Sequence, residues 1–231
     1  MLRHTLIAAL VLVSGPALAE DRTPTISLTG TGVIDRAPDM ATIRVGVNTG
    51  GKTAREALDE NTANATEVIE TLKAAGIAEA DIQTSNFGIQ PVYKDRKLSS
   101  RSENPVDYYR VTNMVGAVIR DLDTVGTVLD KVITAGGNQV NGISFGLSTY
   151  DAAMDEARAL AVADARRKAE LYAEAAGVTL GPILSISEAG GHVAPRQEMA
   201  MARMASAPVP IQGGELSVTA NVSIVWEIST P

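Results

Sequence analysis

Two stretches near the start of the chain, ISLTGTGVI (26–34) and MATIRVGV (40–47), alternate apolar and polar residues with the period of half-buried strands. Ala37-Pro38-Asp39 supplies turn residues between them, and Ile43, Val45 and Val47 share one face. After Lys52 the period lengthens to that of a helix. Thr53 and Glu56 form a capping box at its start, and Gly76 stops it. A strand is predicted over 82–93, an exposed hairpin loop over 94–107, and a further strand over DYYRVTNMVGAVIR. A helix over 121–135 ends at Gly136-Gly137, a strand follows over 139–148, and the longest helix covers 150–176 before Gly177. GPILSISEAGG then reads as a strand. In the last strand, 216–228, Leu216, Val218, Ala220, Val222, Ile224, Trp226 and Ile228 face one way.

This order predicts an α+β fold: a largely antiparallel sheet of long strands with helices packed on one face. An internal duplication of a helix–strand unit is also expected. Residues 74–89 (AAGIAEADIQTSNFGI) echo 133–147 (ITAGGNQVNGISFGL), with Phe87 and Phe145 at matching places, and AEAAGVTLGPILSIS repeats the unit a third time. The longest helix carries Ala157, Ala161, Ala165, Ala169, Tyr172 and Ala176 on one stripe, joined by Met154 and Leu160. Small residues there let its axis lie close to a sheet. Asp164 with Lys168, and Arg166 with Glu170, are i,i+4 pairs that support the helix. Residues 190–214 are rich in Gly, Pro, Ala and Met without periodicity, and are expected to form a long mobile connection.

The first residues are of another kind. Arg3 and His4 precede the apolar run LIAALVLV, Ser14-Gly15-Pro16 breaks it, and Ala17-Leu18-Ala19 is a small-x-small site before Glu20. That layout predicts a secretory signal peptide over 1–19, cleaved after Ala19, and a single domain over 20–231. The apolar run is too short to span a membrane, which takes roughly 20 residues. A periplasmic destination follows, with no transmembrane segment in the mature chain. Cleavage removes Arg3 and no acidic residue, so the formal net charge of −7 becomes −8. An acidic chain has no electrostatic reason to seek nucleic acid. The absence of cysteine rules out disulfides, thiol chemistry and thiolate metal sites.

Gly46 to Thr53 (GVNTGGKT) satisfies the phosphate-loop pattern G-x-x-x-x-G-K-[ST] between an apparent strand and helix. The strand alternation runs through Val47, however, which leaves only Asn48 to Lys52 as loop, too little to wrap a phosphate. Asp121, the nearest candidate for a metal-binding partner, follows Arg120 and not an apolar run. Asn48 to Gly51 is therefore read as a strand-to-helix turn with Thr53 capping the helix, and no nucleotide is expected despite the pattern. In LTGTGVID the third glycine of a dinucleotide fingerprint is missing, so these are strand glycines where backbone approaches closely.

For catalysis the mature chain offers one histidine, His192, in the Gly-rich connection, with nothing beside it to orient an imidazole. No catalytic residue and no cofactor is assigned. The candidate metal ligands are His192, Met199, Met201 and Met204, whose thioethers and imidazole suit Cu(I). The competing reading makes these methionines an adaptable apolar loop that packs on a partner subunit.

AVADARRKAELYAEAAGVTLGPILSISE, with YYRVTNMVGAVIRDLDTVGTVLDKVITAGGNQVNGISFGLS upstream, resembles the SIMPL-domain family. PVPIQGGELSVTANVSIVWEI and the opening ISLTGTGVIDRAPDMATIRVGV, with its G-x-G-x-x-x-x-x-P-D stretch, resemble it too. The resemblance spans Thr25 to Ile228. It implies an exported bacterial protein of the periplasmic-immunogenic and oxidative-stress-defence type, non-enzymatic, with some members building hollow or ring-like oligomers. The expected function is a self-assembling periplasmic protein tied to envelope or oxidative stress. The alternative is a metal- or small-molecule-binding module using the Met/His loop.

Overall fold

The structure is a computed structural model whose described residues are 23–94, 105–195 and 211–230. They adopt the predicted α+β fold, but the strands are divided between two four-stranded antiparallel sheets. The outer sheet holds β1 (Thr25–Arg36), β8 (Leu216–Ser229) and β6 (Thr179–Glu188) in that order, and β7 (His192–Pro195) pairs β8 beside β6. The chain between β1 and the long helix builds the second, inserted sheet. It comprises β2 (Met40–Gly51), β3 (Ile82–Tyr93), β4 (Val106–Ile119) and β5 (Gln139–Gly146), ordered β3-β4-β2-β5. With α1 (Ala54–Ala74) after β2 and α2 (Val125–Thr134) after β4, its chain order is βαββαβ, the split-βαβ plan.

That plan accounts for the internal echo. Residues 74–89 and 133–147 are the helix-to-strand halves of the two interleaved units, α1 to β3 and α2 to β5. The third copy leads from α3 (Tyr150–Ala176) to β6 in the other sheet. The phenylalanines diverge: Phe145 packs on the core of the inserted sheet, whereas Phe87 lies in a bulge beside Asn86, whose φ is 49°, and is exposed.

In the inserted sheet, Ile43, Val45, Val47 and Val115 meet Val68 and Leu72 of α1 and Val125, Val128 and Val132 of α2. Among the described residues two polar side chains are buried beside this core, Thr49 of β2 and, deeper, Asn61. Asn61 of α1, 1% exposed, donates through Nδ2 to the carbonyls of Val47 at 2.8 Å and Val111 at 3.3 Å.

The outer sheet closes on α3 by close approach. Ala157, Ala161, Ala165 and Ala169 of α3 pack on the apolar face of β8. On β1 the partners are Gly30 and Gly32, the strand glycines of LTGTGVID. A Cβ at Gly30 would stand 1.9 Å from the Ala161 carbonyl oxygen, and one at Gly32 would stand 2.0 Å from that of Ala157. The buried stripe continues to Ala173 and not to Tyr172 or Ala176, which are exposed, and Leu160 is 45% exposed. A glycine floor admits only alanine against it, so the larger side chains turn outward.

The charges of α3 are placed differently from a solvated face. Asp164 accepts the Thr31 N–H at 3.0 Å and pairs with Lys168 and Arg167, both at 2.6 Å, while Lys168 donates to the Thr29 carbonyl at 3.0 Å. Arg166 and Glu170 form no ion pair among the described residues. Backbone groups on the free side of β1 are thus satisfied by helix side chains, which blunts that sheet edge.

Part of the connection 190–214 is strand. β6 pairs β8 only from Val222 onward, so β8 residues Leu216–Thr219 need another partner, and His192–Pro195 supply it. Gly190, at φ +71°, makes the turn, and Gly191 passes Met154, whose Sδ would lie 2.6 Å from an added Cβ.

Candidate functional site

The phosphate-loop pattern lies in a strand to its second-last glycine position and beyond. β2 runs on to Gly51, with Asn48 opposite Thr112 and Gly51 opposite Tyr109, which corrects the expected turn over Asn48 to Gly51. The strand continues because Thr49 keeps the alternation: it points to α1 and donates to the Ala57 carbonyl at 2.6 Å. Only Lys52 and Thr53 link strand to helix. Glu56 N–H donates to Thr53 Oγ1 at 3.2 Å, and the Glu56 carboxylate accepts the Thr53 and Lys52 N–H groups, completing the capping box. The amides that would cradle a phosphate are spent on the β-ladder and on Glu56, and Lys52 leans to Asp107. Thr53→Ala is expected to cost about 1 kcal/mol in chemical denaturation. Lys52→Ala is expected to leave both stability and ATP titration heat unchanged; a titratable ATP signal lost in that variant would restore the nucleotide reading.

His192 is exposed on β7, opposite Thr219. Met199, Met201 and Met204 lie outside the described residues. Among the described residues, no group of three or more His, Cys, Asp or Glu side chains converges as metal ligands would.

Where the chain enters and leaves the inserted sheet, Asp39 ties the two crossings together. Its carboxylate accepts the Ser148 N–H at 2.7 Å and the Ser148 hydroxyl at 2.5 Å, and its own N–H donates to the Gly146 carbonyl at 3.1 Å. The Ser148 hydroxyl and N–H hold the Asp39 carboxyl below its usual range; at Asp164, Lys168, then the Thr31 N–H and Arg167, do the same. Both groups bind protons more weakly folded than unfolded. Their stabilisation is therefore complete above the unfolded carboxyl pKa of about 4 and is lost as pH falls through the depressed folded values. An Asp39→Asn/Asp164→Asn variant should show a flatter loss of melting temperature between pH 5 and 3 than its parent. Parallel curves would remove these two carboxylates from the acid response.

The face of the inserted sheet turned away from the helices carries a row of uncharged polar groups. Thr112 donates to Asn48 Oδ1 at 2.7 Å, Asn48 Nδ2 donates to Gln139, and Gln139 Nε2 donates to Asn141 Oδ1 at 2.9 Å. Asn141 Nδ2 ends the row on Met114 Sδ at 3.4 Å. Met114 lies across Gly46, where an added Cβ would come within 2.8 Å of its sulfur. The first glycine of the phosphate-loop pattern thus makes room for a thioether.

Apolar side chains gather on the sheet edges instead. β6 exposes Ile183, Leu184 and Ile186, and its outer side has no partner strand among the described residues. β3 exposes Phe87, Ile89 and Tyr93 on an edge of the inserted sheet.

The whole of this architecture, from β1 to β8, is covered by one sequence family, SIMPL, described as "Protein of unknown function (DUF541)", which matches residues 26–226. The chain belongs to the SIMPL family. It is similar to the "26 kDa periplasmic immunogenic protein" of Brucella melitensis, 38% identical over 92% of this chain and 90% of that protein. It is also similar to "Uncharacterized protein YggE" of Escherichia coli, 30% identical over 89% of this chain and 83% of that protein. In this SIMPL chain, sequence reasoning had placed the helix cap, the strand glycines and the alanine stripe. It had missed the Asp39–Ser148 clamp and the polar row, whose members lie up to 109 residues apart and become neighbours only through strand order. The Ala37-Pro38-Asp39 turn of the opening hairpin was the available signal for Asp39. Among the described residues, no helix of this SIMPL chain is long and apolar enough to cross a membrane.

Proposed function

We propose that this SIMPL chain is an exported periplasmic protein that acts by self-assembly, without catalysis, in envelope or oxidative-stress defence. The export layout of residues 1–19 and the printed name of the Brucella relative support the compartment. The observation that carries self-assembly is β6. It is a ten-residue strand whose outer edge is unpaired among the described residues, with Ile183, Leu184 and Ile186 exposed at 39%, 50% and 57%. Monomeric proteins blunt such edges with charge, proline or cover. β1 is blunted in this way by Asp164 and Lys168. On β6 the protection is confined to the first half, where Pro182 and the register shifts around Ile183 lie, and residues 185–187 beyond them stay unprotected. Residues 183–187 carry no charge to repel a second strand.

Light scattering of residues 20–231 at micromolar concentration tests the reading. The parent is expected above the mass of one chain, and an Ile183→Lys/Ile186→Lys variant is expected to fall toward the monomer with its circular dichroism retained. A monomeric parent ends the assembly reading. For the stress role, cells lacking the protein should lose survival in hydrogen peroxide, and equal survival would end that part of the proposal.

A further inference from the structure

Gly116 sits near the centre of the inserted sheet, and neither its backbone nor its neighbours require glycine. Its φ lies outside the left-handed region, and an added Cβ would meet only the Gln83 and Ile43 carbonyl oxygens at 3.7 and 3.9 Å, which is ordinary contact. A glycine within a central strand weakens the strand. Its missing side chain leaves a gap on the open face. Arg44 of β2 and Gln83 of β3 pair directly with Gly116 from either side, so all three point to the same face. Strand spacing sets the Arg44 and Gln83 backbones about 10 Å apart with Gly116 as the floor between them. Ser85 and Met114 close one end, and the resulting cavity of about 200 Å³ also touches Asp81.

The charges are unusual for this protein. The chain carries a net −7, yet the ionised side chains that project from this face are Arg44 and Arg110. Arg110 is occupied by Tyr108, donating to its hydroxyl at 2.6 Å and lying 5.6 Å over its ring. Arg44 makes no ion pair or hydrogen bond among the described residues. At the rim, Asp81 is engaged by Arg120 at 2.8 Å.

We propose that the slot over Gly116 binds the carboxylate of a small organic acid, with Arg44 as its cation and Gln83 and Ser85 as neutral hydrogen-bonding partners. A guanidinium fork matches a planar carboxylate in a bidentate way. A single cation with Asp81 nearby suits one negative charge and opposes the dianionic form of phosphate. The volume lies below the roughly 300–1,000 Å³ of pockets that enclose drug-sized ligands, which fits a ligand of amino-acid size. Met114, held by Asn141 at the end of the polar row, gives the slot a fixed apolar wall for the remainder of that ligand. This site is independent of the β6 edge.

The test is titration of the mature chain with N-acetylalanine, N-acetylalanine amide, propanoate and inorganic phosphate, followed by amide NMR shifts. N-acetylalanine and propanoate, each with one negative charge, should move Arg44, Gln83 and Gly116 saturably. The amide and phosphate should bind about tenfold more weakly or not at all, the loss expected when a charge-assisted hydrogen bond is removed. Arg44→Gln should weaken both carboxylates by a similar factor. Gly116→Val should abolish binding while the melting temperature stays equal or rises, since a β-branched residue suits a central strand; Gly116→Ala serves if valine unfolds the chain. Equal saturable binding of the acid and its amide, undiminished binding in the Arg44 or Gly116 variants, or no saturable shift with either carboxylate would overturn the assignment. If propanoate binds and N-acetylalanine does not, the ligand is a free small acid; binding of both extends the class to peptide C-termini, and either result supports the carboxylate slot.

Discussion

Gly30→Ala should destabilise the protein by about 3 kcal/mol, the upper end of overpacking costs, and lower the melting temperature by roughly 6–12 °C for a chain of this size. The added Cβ would fall 1.9 Å from the Ala161 carbonyl oxygen and 2.5 Å from the Ala165 nitrogen, both helix backbone that cannot rotate aside. Relief would require α3 to lift from β1, which would break the contacts of Asp164 with the Thr31 N–H and of Lys168 with the Thr29 carbonyl. Gly88→Ala is the control. Its Cβ would meet nothing within 4 Å and its φ is not positive, so the same chemical change should be neutral or slightly stabilising there. Chemical denaturation of both variants decides the point. A Gly30→Ala variant within 1 kcal/mol of its parent would show that α3 can slide at no great cost.

Asn61 is the second sensitive position. Removing its amide in Asn61→Ala deprives the Val47 and Val111 carbonyls of a donor inside the core, at about 1–3 kcal/mol for each acceptor left unpaired. The Asn61 Oδ1 has no partner of its own among the described residues, so its removal offsets part of that cost and the net expectation is about 2 kcal/mol. Asn61→Asp should be worse at neutral pH. A carboxylate there would be buried with two carbonyl oxygens facing it, costing about 3 kcal/mol or more. Its carboxyl pKa in the fold would be raised, so the variant should regain stability as pH falls, when the protonated acid can donate once. That trend is opposite to the one expected from Asp39 and Asp164. Denaturant midpoints of the parent and both variants at pH 7 and pH 5 separate these outcomes. An Asn61→Asp midpoint that does not rise relative to the parent at pH 5 would contradict the buried-charge account.

How far the sequence could be read depended on the range of the interaction. Thr53 and Glu56 are three residues apart, and a capping box is complete within one helical turn, so the letters alone located it. The clean alternation of β8 and the alanine stripe of α3 record burial on one face. They needed only the period of each element to be recognised. The strand glycines of β1 announced a close approach because a strand otherwise has no use for two side-chain-free positions on one face.

What approached them could be settled only by the tertiary structure. Strand order divided one expected sheet into two, since pairing is decided between segments distant in sequence and each edge offers the same backbone groups. The same order carried β2 through the phosphate-loop pattern, because Asn48 to Gly51 found ladder partners in β4. It also drew His192–Pro195 out of the connection to complete the pairing of β8. And it set Arg44 and Gln83 on either side of Gly116, residues from three separate strands that share no motif. Local periodicity and capping were thus determined by the sequence itself. Which backbone met which, and where the open face set Arg44 beside a gap, followed from long-range register.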